Sequence, residues 1–214
     1  MVKKIVGTGV LLVLALALQA GVKMYTLKSP DGKVKLEVTA GQGIAYSLFY
    51  DGRLLLKPSR IALHTDLPEA DHWENIRITG TKQRHVSETV QAPFYRVKEF
   101  GIDCNELELR LNNGFSLLMR AYNDGMAYRF VAGRKGEMTV VEERAEFNFA
   151  DDFEAYIPYS TNPKDPWNMA FQNFYTKAPL TQYNTELPAF LPLTVDAGAV
   201  KLTLLESDLE AYRS

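Results

Sequence analysis

Apolar and polar residues alternate along much of this chain, and short turn signals separate the alternating runs. Between Val34 and Thr39 every second residue is aliphatic and the residues between are charged or polar, and the same alternation recurs from Glu106 to Leu111. A period of two is typical of a β-strand with one buried face. The runs predict strands at 34–39, 46–50, 53–56, 106–111, 115–122, 126–131, 140–149, 191–195 and 200–205.

Turns that contain glycine join several of these runs. They are Asp51-Gly52, Asn113-Gly114, Asn123-Asp124-Gly125 and Asp196-Ala197-Gly198. Tight hairpin turns favour positive φ, which glycine, asparagine and aspartate tolerate. The sequence has no amphipathic pattern of four helical turns, and its best helical candidate is the short segment 166–175. Regularly spaced short strands therefore predict one all-β domain with a sandwich architecture.

The N-terminus has the pattern of an export signal. Lys3 and Lys4 precede an almost wholly apolar run at 5–18, and small residues, including Ala20, follow it. The apolar run is shorter than the roughly 20 residues that a membrane-spanning helix needs. The pattern predicts a cleavable signal peptide at 1–20 and a mature domain at 21–214, with no membrane attachment after cleavage. An uncleaved anchor is the alternative.

Composition limits the remaining choices. The 214-residue chain carries a formal net charge of −2 and has a pI near 6.0, so its bulk charge does not favour nucleic acid. Cys104 is the only cysteine, which excludes an intrachain disulfide. We expect Cys104 to be a small buried apolar residue, with a reactive thiol as the alternative.

Most catalytic motifs are missing from the sequence. The chain has no G-x-S-x-G elbow, no H-E-x-x-H helix and no phosphate-binding loop. His64, His72 and His85 are too widely spaced for a local metal motif, and the acidic residues at 151–154 are typical of a solvated turn. A glycosidase carboxylate pair cannot be chosen without knowing which carboxylates meet in space. No catalytic or substrate-binding residue is therefore assigned.

The long connection at 160–191 is rich in proline and aromatic residues. Trp167, Phe171, Phe174 and Tyr175 lie between prolines at 163, 166, 179 and 188. Long ordered connections are often functional, and an aromatic ring can pack on the apolar face of a sugar. These side chains could equally cap an open end of the sandwich.

Glu206 comes directly after the predicted strand at 200–205, at the rim of a sheet. A carboxylate held by a rigid strand end suits a metal such as calcium, which prefers several hard oxygen ligands. The alternative is an ordinary solvated strand end.

Several segments, taken in order and spacing, resemble one known family. They are LKSPDGK at 27–33, YDG at 50–52, KPSR at 57–60, SET at 87–89, NEL at 105–107, RAYNDGMAYR at 120–129 and LTLLESDLEAY at 202–212. They resemble the N-terminal domain of glycoside hydrolase family 97 and cover nearly all of the predicted mature chain. The resemblance implies an antiparallel β-super-sandwich similar to galactose mutarotase. We interpret Arg120, Arg129 and the turn between them as structural.

The resemblance also implies a role within a larger enzyme. Members of the family are secreted or periplasmic α-glucosidases or α-galactosidases whose catalytic (β/α)8 barrel follows this domain. The expected partners are therefore that barrel and an oligosaccharide with α-linked glucose or galactose. In the α-glucosidase branch one glutamate of the N-terminal domain helps to hold a calcium ion, and the matching residue here is Glu206.

The sequence stops at Arg213-Ser214, where the family pattern usually continues. We therefore expect a sandwich that is incomplete at its C-terminus, and a chain that does not hydrolyse glycosides alone because the barrel is absent. A truncated gene, a fragmentary gene model and a cloned piece all fit this pattern. Two alternatives to an enzyme domain stay open: a stand-alone carbohydrate-binding module and an inactive remnant.

Overall fold

The computed structural model describes residues 23–160, 162, 164–165 and 173–207. The predicted signal peptide, Trp167 and Phe171 lie outside these described residues. The described chain contains thirteen strands and one 3-10 turn, Leu180–Gln182. The strands are β1 (Lys23–Lys28), β2 (Val34–Gly41), β3 (Gly43–Tyr50), β4 (Arg53–Thr65), β5 (Ile78–Gln91), β6 (Glu99–Leu111), β7 (Phe115–Tyr122), β8 (Gly125–Ala132), β9 (Val140–Ala145), β10 (Glu154–Ile157), β11 (Thr176–Pro179), β12 (Leu193–Asp196) and β13 (Lys201–Leu204).

The strands form three antiparallel sheets, which confirms the predicted all-β class. The first sheet has the order β1-β2-β3-β4-β9, and the second has the order β5-β6-β7-β8. The third sheet, with the order β11-β10-β12-β13, adjoins the first, because the Arg53 guanidinium donates to the Ala197 carbonyl at 2.7 Å. In the described residues no helix is long and apolar enough to cross a membrane.

One hydrophobic core lies between the first and second sheets and extends to the third. The alternation seen in the sequence places Leu36 and Val38 of β2 opposite Leu109 and Leu117 of the second sheet, and all four are fully buried. Burial of one such side chain contributes about 2 kcal/mol. The period-two pattern therefore determined which face of each strand points inward.

The Asp51-Gly52 hairpin forms as predicted. Tyr50 pairs with Arg53, which leaves a two-residue loop, and both loop residues have positive φ, 48° at Asp51 and 78° at Gly52. This combination matches the twist of the flanking strands. The predicted helix at 166–175 lies largely outside the described residues, and its described part, 173–175, is not helical.

Position 133 requires a glycine because the backbone carbonyl of Gly114 lies very close to it. The Gly133 N–H donates to the Gly114 carbonyl at 2.9 Å, and a Cβ at position 133 would lie 2.7 Å from that same oxygen. Gly133→Ala is therefore expected to lower the free energy of unfolding by about 1–3 kcal/mol, measured by urea denaturation. Gly101→Ala is the matched control, because a Cβ there meets nothing within 4 Å. Equal effects of the two substitutions would contradict this explanation.

Candidate functional site

The open edge of the sandwich between β8 and β9 carries a cluster of phenols and carboxylates. Tyr128 of β8 and Tyr46 of β3 meet inside this edge with ring centroids 6.0 Å apart. The Tyr128 hydroxyl donates to Glu143 Oε1 at 3.4 Å, and the Tyr46 hydroxyl donates to the Glu146 carbonyl at 3.4 Å. Both phenols thus point towards β9 and the segment that follows it.

Burial and negative charge keep the Tyr128 phenol protonated. Burial is the main cause of its raised pKa, and the carboxylates of Glu143 and Glu206 raise the pKa further. Burial also raises the pKa of Tyr46. Glu206 contributes less to this rise than Glu143 does, so its charge acts on Tyr128 from further away. We call the edge that carries Tyr128 and Glu143, with Glu206 at longer range, the Glu206 rim. Both phenols serve as hydrogen-bond donors at neutral pH.

Glu206 is exposed just beyond the end of β13. It makes no hydrogen bond or ion pair with any other residue in the described part of the chain. The preceding residue, Leu205, is 70% exposed. The exposure of Glu206 fits both the predicted metal ligand and the alternative of a solvated strand end.

The side chains at the Glu206 rim are too few to form a calcium site by themselves. Calcium takes about six to eight oxygen ligands, whereas Glu206, Glu143 and the Tyr128 hydroxyl offer two carboxylates and one phenol. The described residues contain no group of three or more His, Cys, Asp or Glu side chains that could hold a metal. Carboxylate and phenol oxygens are hard ligands of the kind that calcium prefers, but their number here is too small for a complete shell.

The 214-residue chain alone is therefore expected to bind calcium weakly, with a Kd on the order of 1 mM or above. Calorimetric titration of the purified chain with CaCl2 measures this affinity. Micromolar binding would show that the chain holds a complete site of its own.

A second polar cluster lies on the outer face of the second sheet, and no local sequence pattern indicates it. Glu106 of β6 accepts hydrogen bonds from Arg84 Nε of β5 at 2.6 Å and from Arg120 Nε of β7 at 2.8 Å. The Glu106 side chain is only 4% exposed. Burial alone would raise the pKa of Glu106, but the two arginines outweigh burial and hold the pKa below its usual range.

Cys104 adjoins this cluster on the same face of β6. It is fully buried, as the sequence predicted. Burial is the main cause of its raised pKa, so the thiol is not activated as a nucleophile.

The other candidate residues do not form a shared site in the described structure. His64 pairs with Asp71 at 2.7 Å, whereas His85 contacts Asn105 and Asp103 on a different sheet. Within the acidic turn, Asp152 accepts hydrogen bonds from the Thr181 N–H and hydroxyl. In the aromatic connection, Phe174 is 94% exposed and Tyr175 is 43% exposed.

A shallow cleft of about 390 Å³ lies on the outer face of the first sheet, lined in part by Arg60, Glu146 and Asn148. The Glu146 carboxylate already accepts hydrogen bonds from the Arg60 N–H, from Arg144 and from Asn148. These contacts lower its pKa, the Arg60 N–H most strongly. Because its carboxylate is satisfied within the fold, the cleft is a weaker candidate than the Glu206 rim.

Comparison with solved structures supports the same architecture. A glycoside hydrolase family 97 enzyme from Pseudoalteromonas sp. strain K8, solved in complex with acarbose, matches 80% of this chain and 26% of its own with a TM-score of 0.64 at 19% identity. A β-arabinopyranosidase structure matches with a TM-score of 0.68 at 22% identity over 80% of this chain and 29% of its own. At these identities the likeness shows the fold alone, which is an all-β domain.

Sequence comparison then identifies the family. The family model for the glycosyl hydrolase 97 N-terminal domain matches residues 27–214, and this chain belongs to that family. A retaining α-galactosidase of Bacteroides thetaiotaomicron is 41% identical over 204 residues, and a probable retaining α-galactosidase of Streptomyces bingchenggensis is 26% identical over 158 residues. These matches cover 92% and 72% of this chain. The chain spans only 30% and 24% of the two relatives' own lengths.

Proposed function

We propose that this domain forms the N-terminal part of an exported α-glycosidase and helps to complete its sugar-binding site. The proposed substrate is an oligosaccharide with α-linked galactose or glucose. Catalytic acids and bases belong to the region that follows this domain in the relatives. The predicted signal peptide at 1–20 supports export to the periplasm or beyond. Recovery of the protein only as an uncleaved cytoplasmic precursor would contradict export.

The observation that carries the proposal is the position of Glu206. Glu206 is exposed just beyond the end of β13, and its charge acts on the protonated Tyr128 phenol, which donates to Glu143 at the β8–β9 edge. We propose that Glu206 is one calcium ligand of a shell completed by the following region. When bound, calcium would supply positive charge close to the substrate. In this chain, Tyr46 and Tyr128 form the rigid, water-poor wall behind the Glu206 rim.

The sugar and the metal are separate parts of the proposal. The two relatives by sequence are named as α-galactosidases, which favours galactose. The calcium role comes from the resemblance to the α-glucosidase branch. An enzyme that hydrolyses α-galactosides without needing calcium would support the first part and contradict the second.

The test uses an extended protein, in which the region of the Bacteroides thetaiotaomicron α-galactosidase that follows its matched segment is joined after Ser214. We expect it to hydrolyse 4-nitrophenyl α-galactoside or α-glucoside, whereas the 214-residue chain does not. The following region expressed without this domain is expected to be at least tenfold less active. Equal activity with and without the domain would overturn the proposal.

The alternative of a stand-alone carbohydrate-binding module makes a different prediction. In that case the 214-residue chain would bind maltooligosaccharides or galactosides by itself. Calorimetry with millimolar sugar distinguishes the two: the enzyme-domain proposal predicts no binding heat with the isolated chain, and a clear signal favours the module.

A further inference from the structure

The hairpin formed by β5 and β6 projects from the body of the domain as an arm. The last pair between β6 and β7 is Cys104 with Tyr122, whereas pairing between β5 and β6 continues for five more residues, to Gln91 and Glu99. At about 3.4 Å per residue, the arm extends roughly 17 Å beyond its neighbours before its closing loop.

The arm has one apolar and one polar face. Val90 pairs with Phe100, and because strand side chains alternate, Ile102 lies on this same face, where Glu88, its partner, is the one charged residue. Opposite them, Gln91 donates to Glu99 on the polar face. Two strands without neighbours are marginal in water, so an amphipathic arm indicates a surface that the apolar face covers.

The arm's tip is strongly exposed. Phe94 is 101% exposed and Tyr95 is 70% exposed, and the Tyr95 ring packs edge-on against Phe100 at 6.1 Å. Val97 is 52% exposed. Contiguous exposed apolar groups of this kind mark interaction sites, and aromatic side chains are the usual anchors.

We infer that the arm docks its apolar face and aromatic tip onto the region that follows this domain in the full-length relatives. The inference rests on the proposed function, because it needs that region to be present. The relatives offer ample surface for docking, since this chain spans only 30% of the length of the 41%-identical α-galactosidase.

Size favours a tethered partner over a free one. The apolar face is roughly 17 Å long and two strands wide, which presents only a few hundred Å², below the approximately 800 Å² per partner of a standard stable complex. A second copy would bind weakly through so small a patch. A region joined to the same chain has a local concentration in the millimolar range, where a small patch suffices.

The arm and the Glu206 rim lie at different edges of the second sheet. The arm belongs to β5 and β6, whereas the Glu206 rim adjoins β8 at the opposite edge. Because β5 and β8 are three strand spacings apart, roughly 14 Å, the two contacts would hold the following region from both sides. Docking of the arm would fix the orientation that brings Glu206 to the shared site.

Limited trypsin digestion tests this inference, because Arg96 and Lys98 lie in the arm's closing loop. Cleavage there is compared between the 214-residue chain and the extended protein, with cleavage after the exposed Lys135 as the internal reference. We expect cleavage of the arm to be at least tenfold slower in the extended protein. The double substitution Phe94→Ser and Phe100→Ser is expected to restore it. Met24→Ser is the control, since Met24 is 58% exposed on β1, at the edge of the first sheet opposite β9.

Equal cleavage rates in the two proteins would overturn the inference. Two other results would also overturn it. In the first, the arm is protected in the isolated chain because the chain forms a dimer, which sedimentation would detect. In the second, the arm is protected only when oligosaccharide is added. Hydrolytic activity separates this inference from the proposed function. An active extended protein with an unprotected arm contradicts only the arm's role, whereas a protected arm in an inactive protein contradicts only the proposed enzymatic role.

Discussion

Replacing Glu106 with alanine is expected to lower the free energy of unfolding by about 2–3 kcal/mol. Removing one partner of a fully buried ion pair costs about 3–5 kcal/mol, because the remaining charge is left unpaired. Here the carboxylate side chain is 4% exposed, but Arg84 and Arg120 are 52% and 29% exposed and can recover part of the loss in water. Urea denaturation of the 214-residue chain measures the difference.

Glu108 provides the matched control for this substitution. It lies two residues further along β6 on the same face, and its partner Arg110 is 61% exposed, at 3.2 Å. Exposed pairs contribute about 0–1 kcal/mol, so Glu108→Ala is expected to change stability by less than about 0.5 kcal/mol. Similar losses at both positions would show that Glu106 is an ordinary surface carboxylate.

The stabilisation by Glu106 also depends on pH. Its pKa in the folded protein lies below the ordinary value of 4.5, so the folded state binds the proton less readily than the unfolded state does. The contribution is therefore present above about pH 4.5 and is lost as the pH falls through the folded pKa. The stability difference between the wild type and Glu106→Gln is expected to shrink below pH 4.5. A constant difference from pH 7 to pH 3 would contradict the pKa shift.

Glu206→Gln is expected to have the largest functional effect. In the extended protein it removes a carboxylate oxygen from the proposed calcium shell, and we expect at least a tenfold loss of calcium affinity. Hydrolysis at low calcium should fall by a similar factor, and excess calcium should restore part of it. The stability of the isolated chain should not change, because Glu206 is exposed and has no partner among the described residues.

Glu108→Gln is the control for charge removal, because Glu108 lies on β6, two strands from β8 in the second sheet. It should leave calcium affinity and hydrolysis unchanged. A Glu206→Gln protein with the calcium dependence of the parent would remove Glu206 from the metal site.

Nine of the thirteen strands were predictable because their alternation and turns depend on neighbours in sequence, whereas β1, β5, β10 and β11 had no predicted counterpart. Alternation from Val34 to Thr39 determines which side chains are buried, and Asp51-Gly52 meets a local backbone requirement that the structure confirms. Glu206 could be singled out by its position after a strand. The resemblance then identified the family that the sequence comparison confirms.

The features that depend on pairing between distant strands were not predictable in this way. Glu106 looks like any polar residue of an alternating strand until Arg84 and Arg120, 22 residues before and 14 after, are brought beside it. The arm also depends on β5 and β6 extending further than the neighbouring strand β7, which no local sequence pattern predicts. Tyr128 and Glu143 likewise become candidates only in the folded protein, where β8 and β9 lie on either side of the same open edge of the sandwich.

The most direct test of the domain's role is the position of calcium in a crystal structure of the extended protein, located by its anomalous scattering. The proposal predicts a calcium ion with a Glu206 carboxylate oxygen about 2.3–2.6 Å away and its other ligands from the following region. A calcium ion held entirely by the following region, with Glu206 facing solvent, would contradict it.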